Sequence, residues 1–147
     1  MPQQSVELVL DALATRLKAI TGIRDVDSFQ PATLRQLPRI VLHYLDSPWA
    51  LSPGRNEIAH TIQIEVIVAP LADVRRSRRE AVKFIDDVKN GLFDKNLGGG
   101  LELIPEPNQT TIGSEGSQAM RNVVYNEETY LAAIIIIRAI EITGEDF

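Results

Sequence analysis

Residues 130–142, Tyr-Leu-Ala-Ala-Ile-Ile-Ile-Ile-Arg-Ala-Ile-Glu-Ile, read as one extended strand that is apolar on both of its faces. Side chains on a strand point alternately to opposite sides. Leu131, Ala133, Ile135, Ile137 and Ala139 therefore line one face, and Tyr130, Ile134, Ile136, Ile140 and Ile142 line the other, broken by Arg138. A chain of 147 residues supplies enough helix to cover one face of a sheet but not both. The second face is therefore expected to meet another chain, which makes Ile134, Ile136, Arg138 and Ile140 candidate subunit-interface residues.

The length fits one domain, spanning residues 1–147, and a domain of this size hides about 70% of its unfolded surface on folding. A membrane-spanning helix needs about 20 consecutive apolar residues, whereas the longest uninterrupted apolar run, 131–137, has seven. No positively charged start followed by an apolar stretch marks a secretory signal. The absence of cysteine excludes disulfides, thiol catalysis and thiolate metal sites. These features together predict a cytosolic origin.

Charge is distributed unevenly. The net charge of -5 argues against a general nucleic-acid binder. Residues 1–100 hold 13 basic and 12 acidic side chains, whereas residues 101–147 hold only Arg121 and Arg138 against eight acidic ones. Four arginines, Arg75, Arg76, Arg78 and Arg79, fall within five residues. A chain with a basic knot and an acidic end can attract copies of itself head to tail.

Local patterns give the elements. Ser5 can cap a helix whose stripe is Val6, Val9, Leu10, Leu13, Leu17 and Ile20, stopped by Gly22. A short strand is expected around residues 23–29, and 39–46 form a strand apolar on both sides. Residues 47–56, with two prolines and a glycine, read as a loop. In 57–68, Ile58, Ile62, Ile64, Val66 and Val68 alternate with Ala59, Thr61, Gln63 and Glu65, which predicts one buried face and one partly wet face. Only Ile67 departs from the pattern. Asp73 can cap a second helix to about Phe93, with Val74, Ala81, Ile85, Val88 and Leu92 inside. A short strand is expected at 101–104, and residues 105–120 are polar and predict a long mobile loop. The sum is an α+β domain, a mostly antiparallel β-sheet with two α-helices packed on one face.

Signatures of chemistry are weak. His43 and His60 lie in strands with no neighbouring carboxylate in sequence and no second ligand at metal spacing, so both read as sheet histidines. The stretch from Gly113 to Ser117 lacks the strand–turn–helix setting and the spacing of a nucleophile elbow. Gly98-Gly99-Gly100 is followed by neither Lys-Ser nor Lys-Thr, so it reads as a turn. Asp25 and Asp27 share a strand face and could touch a cation, with solvated surface as the default. The sequence offers no catalytic residue, metal ligand or cofactor site. Arg75, Arg76 and Arg79 occupy the first turns of a helix, where the dipole disfavours cations. They can be a solvated face, a contact for an acidic patch on a neighbour, or a phosphate contact. Trp49 is either an interface anchor or a cover over its own core.

The layout resembles the tail terminator (tail completion) proteins of tailed bacteriophages, of the lambda-like and Mu-like branches. The features that carry the resemblance are the amphipathic first helix, the strand Leu37-Pro38-Arg39-Ile40-Val41-Leu42, and a variable loop before the long strand from His60 to Val68. A second helix and the closing apolar strand complete it, and together they span most of the chain. The resemblance implies a non-enzymatic virion protein, assembled in the host cytoplasm. Such a protein forms a hexameric ring that caps the tail tube, ends its polymerisation and joins the tail to the head connector. Implied partners are identical copies, the tail tube protein, a head-completion or connector protein and, further, the sheath. No membrane, no cofactor and no specific nucleic acid are implied. The alternatives are another neck or tail component, such as a head-closure or tail-tube protein, and a small nucleic-acid-binding adaptor.

Overall fold

A computed structural model describes residues 6–29, 31, 36–46, 49–52, 55–70, 74–94, 99–100, 102–104 and 109–143. The element order is α1 (Val6–Lys18), β1 (Asp25–Asp27), β2 (Arg39–Asp46), β3 (Trp49–Ser52), β4 (Arg55–Pro70), α2 (Val74–Leu92), β5 (Phe93–Asp94), β6 (Gly99–Gly100), β7 (Glu102–Ile104), β8 (Thr110–Tyr125) and β9 (Glu128–Thr143). The main sheet runs β1-β2-β4-β9-β8-β7, with β3 paired to β4 beyond the end of β2. Among the described residues only β1 and β2 run parallel; every other pairing is antiparallel. The architecture is thus the expected α+β domain with a largely antiparallel sheet.

The doubly apolar strand occupies the position that its sequence demands. β9 lies between β4 and β8 and pairs with both along most of its length. On its first face Leu131, Ala133, Ile135, Ile137 and Ala139 join the main core with Ile62, Ile64 and Val66 of β4. The helices cover this face. α1 contributes Val9, Leu10, Leu13, Ala14 and Leu17, and α2 contributes Ala81, Phe84, Ile85, Val88 and Leu92. Both sets recur at helical spacing, so burial of one stripe fixes each helix on the sheet. The expected caps Ser5 and Asp73 lie outside the described residues. Gly22 follows α1 with φ +95°, a conformation that a side chain resists. No helix among the described residues is long and apolar enough to cross a membrane.

The second face is partly covered by the chain itself, which corrects the expectation that only a neighbour could shield it. Val41, Ile67, Tyr125, Tyr130, Ala132 and Ile134 form a second buried cluster, flanked by Leu37, Val123 and Ile136. The cover is the tip of the β8–β9 hairpin. Tyr125 stands opposite Glu128 beside the turn, whereas Glu65 stands opposite Ile134. Six residues along β9 amount to about 20 Å. Even so, the Tyr125 hydroxyl donates a hydrogen bond to Glu65 Oε1. No phenol and carboxylate bridge that distance on a flat sheet, so the hairpin tip must bend back over the second face. Glu65 and Ile67, read from sequence as a wet position and an exception, are both buried beneath it.

Two expected loops contain strands. Most of the supposed mobile loop at 105–120 belongs to β8, with 105–108 outside the described residues. Within the supposed loop at 47–56, β3 pairs with the start of β4, Trp49 opposite Ile58. The polar composition of β8 follows from its place: residues 116–122 are exposed, so alternation had nothing apolar to display. The β8–β9 turn is Asn126-Glu127, both with positive φ (49° and 65°), the pattern of a two-residue type I′ hairpin. Glutamate in place of the usual glycine hides that turn in the sequence.

Between Ile112 and Gly116 the pairing of β8 with β9 shifts register. A Cβ placed on Gly116 would lie 2.6 Å from the Ile136 carbonyl oxygen, so the glycine permits the close backbone approach after the bulge. Gly116→Ala is expected to destabilise the fold by about 1–3 kcal/mol, measured as a lower urea midpoint at unchanged slope.

Candidate subunit interface

The candidate surface is the half of the second face that the hairpin tip leaves uncovered. On β9, Ile136, Ile140 and Ile142 are half-buried and Arg138 is exposed. Their cross-strand neighbours on β4 are Gln63, Thr61, Ala59 and Glu57, in that order opposite Ile136, Arg138, Ile140 and Ile142. All four are half-buried. The patch is therefore a row of isoleucines interrupted by one arginine and flanked by small or polar side chains. A cleft of about 230 Å³ opens on it, lined by Thr61, Gly116, Ser117, Ile136, Ile137 and Arg138. A second cleft of about 350 Å³ shares Gly116, Ser117, Ile136 and Ile137 with it and reaches Lys89 and Phe93.

The residues proposed from sequence divide accordingly. Ile136, Arg138 and Ile140 come together on this patch. Ile134 does not: it is 2% exposed within the second buried cluster, and its assignment as an interface residue is corrected. Arg79 is exposed on α2, the helix packed on the opposite face, so it does not share a surface with the isoleucine row. Arg75 and Arg76 lie in the first turn of α2, and Trp49 lies in β3. The side chains of these three are outside the described residues.

Sequence reading missed three polar constellations, each built from residues distant in the chain. On the first face the Tyr44 hydroxyl lies 3.0 Å from His60 Nδ1, and His60 Nε2 lies 2.8 Å from Glu141 Oε1. His60 and Glu141 are completely buried. On the second face His43 Nε2 lies 3.4 Å from Glu65 Oε2, close enough for charge attraction but without hydrogen-bond alignment. Both histidines thus have a carboxylate neighbour, contrary to the sequence expectation. Each carboxylate comes from another strand, which a linear spacing rule cannot see. The third constellation departs from the solvated surface that is the default for Asp25 and Asp27: both meet the Arg39 guanidinium. Arg39 binds Asp27 through Nε and, at 2.8 Å, through a terminal nitrogen that also lies 3.3 Å from Asp25. The hydrogen bond from Arg39 to Asp27 is the main cause that raises the arginine pKa.

A carboxylate that orients an imidazole is also a device of general-base catalysis, but solvent does not reach His60 or Glu141. Here the pair ties β4 to β9 inside the core. Among the described residues, no group of three or more His, Asp and Glu side chains is arranged to hold a metal ion. The chain matches no known protein-family model, and a search of curated proteins finds no match.

Breaking the buried His60–Glu141 contact takes from each a charge-assisted partner inside the core. His60→Leu is expected to cost about 3–5 kcal/mol in chemical denaturation, whereas the His60→Leu/Glu141→Leu double variant should recover much of that loss. A second expectation concerns alkaline pH. The pKa values of Tyr44, Tyr125 and Tyr130 are all raised, in each case first by burial. Hydrogen bonds to Glu65 and Glu128 add to the effect at Tyr125 and Tyr130 respectively. A raised tyrosine pKa favours the protonated folded state. Its stabilisation is therefore complete below the unfolded value near pH 10 and is lost as pH rises above it. Absorbance titration at 295 nm should show the tyrosines of the folded protein ionising at higher pH than those of the urea-unfolded chain, Tyr125 last.

Proposed function

We propose that the chain is a structural assembly protein whose copies associate through the uncovered half of the second sheet face into a closed ring. By its resemblance to the tail terminator proteins, the ring caps a phage tail tube, ends its growth and presents a surface to the head connector. The observation that carries this reading is the isoleucine row Ile136, Ile140 and Ile142. These side chains remain half-exposed on the central strand of the sheet after the chain has used both helices and a hairpin tip as cover. Apolar side chains at such a position favour association, at about 25 cal/mol for each Å² removed from water. A ring requires a heterologous, head-to-tail contact that closes after a fixed rotation, and the uneven charge of the chain suits one.

The rival is a small adaptor that binds nucleic acid. It finds some support in a cleft lined by Arg78, Arg121, Asn122, Met120 and Leu131, where two cations stand together. Salt-sensitive DNA binding by the purified protein would favour that reading.

Light scattering on the purified protein should give a discrete species near six times the chain mass of 16.3 kDa. Ile136→Asp and Ile140→Asp should give folded single chains, because the charge falls on a surface that water can still reach. Ile134→Asp should unfold the protein, because that position is closed. An Ile136→Asp protein that still assembled fully would exclude this face as the contact.

A further inference from the structure

Among the described residues, each edge of the sheet has a stretch of backbone that no strand pairs. On one side, β7 pairs with β8 only at Thr110 and Thr111. Among the described residues, no strand pairs with the outer edge of β8 over 116–125. On the other side, β1 covers β2 only from Arg39 to Val41, which leaves the outer edge of 42–46 without a paired strand among the described residues. Free edges are normally blunted by prolines, lysines or short length. The stretch 116–125 contains no proline and no lysine, and its single charged residue is Arg121.

Exposed apolar side chains are present on both edges. Six large ones are exposed among the described residues: Leu8, Phe29, Leu45, Val82, Met120 and Val124. Met120 and Val124 belong to the free part of β8, Leu45 to the free part of β2, and Phe29 lies just past β1. Charge completes the match, because Arg121 is exposed on one edge and Asp46 on the other.

Strand direction is compatible as well. Along β2, β4, β9 and β8 the strands alternate in direction, so β8 runs opposite to β2. A second copy placed with its β2 against the first copy's β8 continues that alternation, adding an antiparallel pair. We infer that a second copy of this chain docks by strand addition, with the outer edge of its β2 (42–46) against the outer edge of β8 (116–125), making one continuous sheet from subunit to subunit. This inference rests on the reading that copies close into a ring, and it adds an edge contact to the face contact proposed above. The isoleucine row lies on β9, one strand inside the seam, so the edge joint does not itself cover it. Within one chain Asp46 stands opposite Thr61, and Thr61 opposite Arg138, whereas Arg121 stands opposite Ala132. The joint is therefore staggered along the strands, and a sheet that closes on itself requires stagger together with tilted strands.

The native chain has no cysteine, so cross-linking has no background. In one chain the two edges are separated by three strand spacings, roughly 14 Å, and by six residues along β9, roughly 20 Å. An internal bridge would leave a single chain on a denaturing gel, so it cannot be mistaken for a joint between chains. The Asp46→Cys/Arg121→Cys variant, treated with that reagent, should give a denaturing-gel ladder of two to six chains, with each single-cysteine variant giving at most a weak dimer. Independently, Arg121→Glu should weaken self-association about fivefold, and Arg121→Glu/Asp46→Arg should restore it. A protein that assembles by light scattering but gives neither ladder nor charge rescue overturns the edge joint and leaves the ring reading standing. A protein that stays a single chain throughout overturns both.

Discussion

The whole structure depends on hiding a central strand that is apolar on both faces. β9 holds neighbours on either side, so its backbone is satisfied within the sheet and its side chains set the terms for everything packed above and below. The two helices solve one face by ordinary amphipathic burial. Among the described residues no helix covers the other face, and the chain solves half of it with the same hairpin to which β9 belongs. The tip turns at Asn126-Glu127 and bends over, and Tyr125 lands on Glu65. Val41, Ile67, Ala132 and Ile134 thereby become a small second core. The hairpin is long enough to reach the upper part of the face and not the lower part, where the isoleucine row begins.

Polar groups inside the domain do a different job. Buried ion pairs contribute little net stability, because desolvation offsets their attraction. What they supply is register. A slip of one residue in β9 would send every side chain to the wrong face, a mild error for a strand that is apolar on both sides. Glu141 removes that ambiguity: it belongs with His60 on the helix-covered face, and a slip would strand both in an apolar layer. Glu65 does the same for the second face through Tyr125. The Arg39 clamp on Asp25 and Asp27 secures the single parallel pairing, between two strands that share only three partnered residues.

Much of the fold was legible because it is written in periodicity. Both helix stripes, the strand at 39–46, the long alternation in β4 and the closing strand follow from spacing alone. β8 escaped because its outer half is exposed, and an edge strand with water around it shows no hydrophobic alternation. The turn that would have announced it uses glutamate at a positive φ. Ile134 was misjudged for a related reason: the rule that a small domain covers one sheet face counts helices and overlooks a hairpin bent over its own sheet. The histidine–carboxylate contacts were out of reach, since His60 and Glu141 are 81 residues apart and only strand pairing brings them together.

The remaining claim is that nature finishes with a neighbour what the hairpin leaves undone. Hydroxyl-radical footprinting, read by mass spectrometry across dilution, tests it most directly. In the dilute single chain, Ile136, Ile140 and Ile142 should be oxidised while Tyr130 and Ile134 are not. In the assembled protein, all five should be protected. Equal protection of the whole strand in the single chain, or unchanged oxidation of the isoleucine row on assembly, would contradict it.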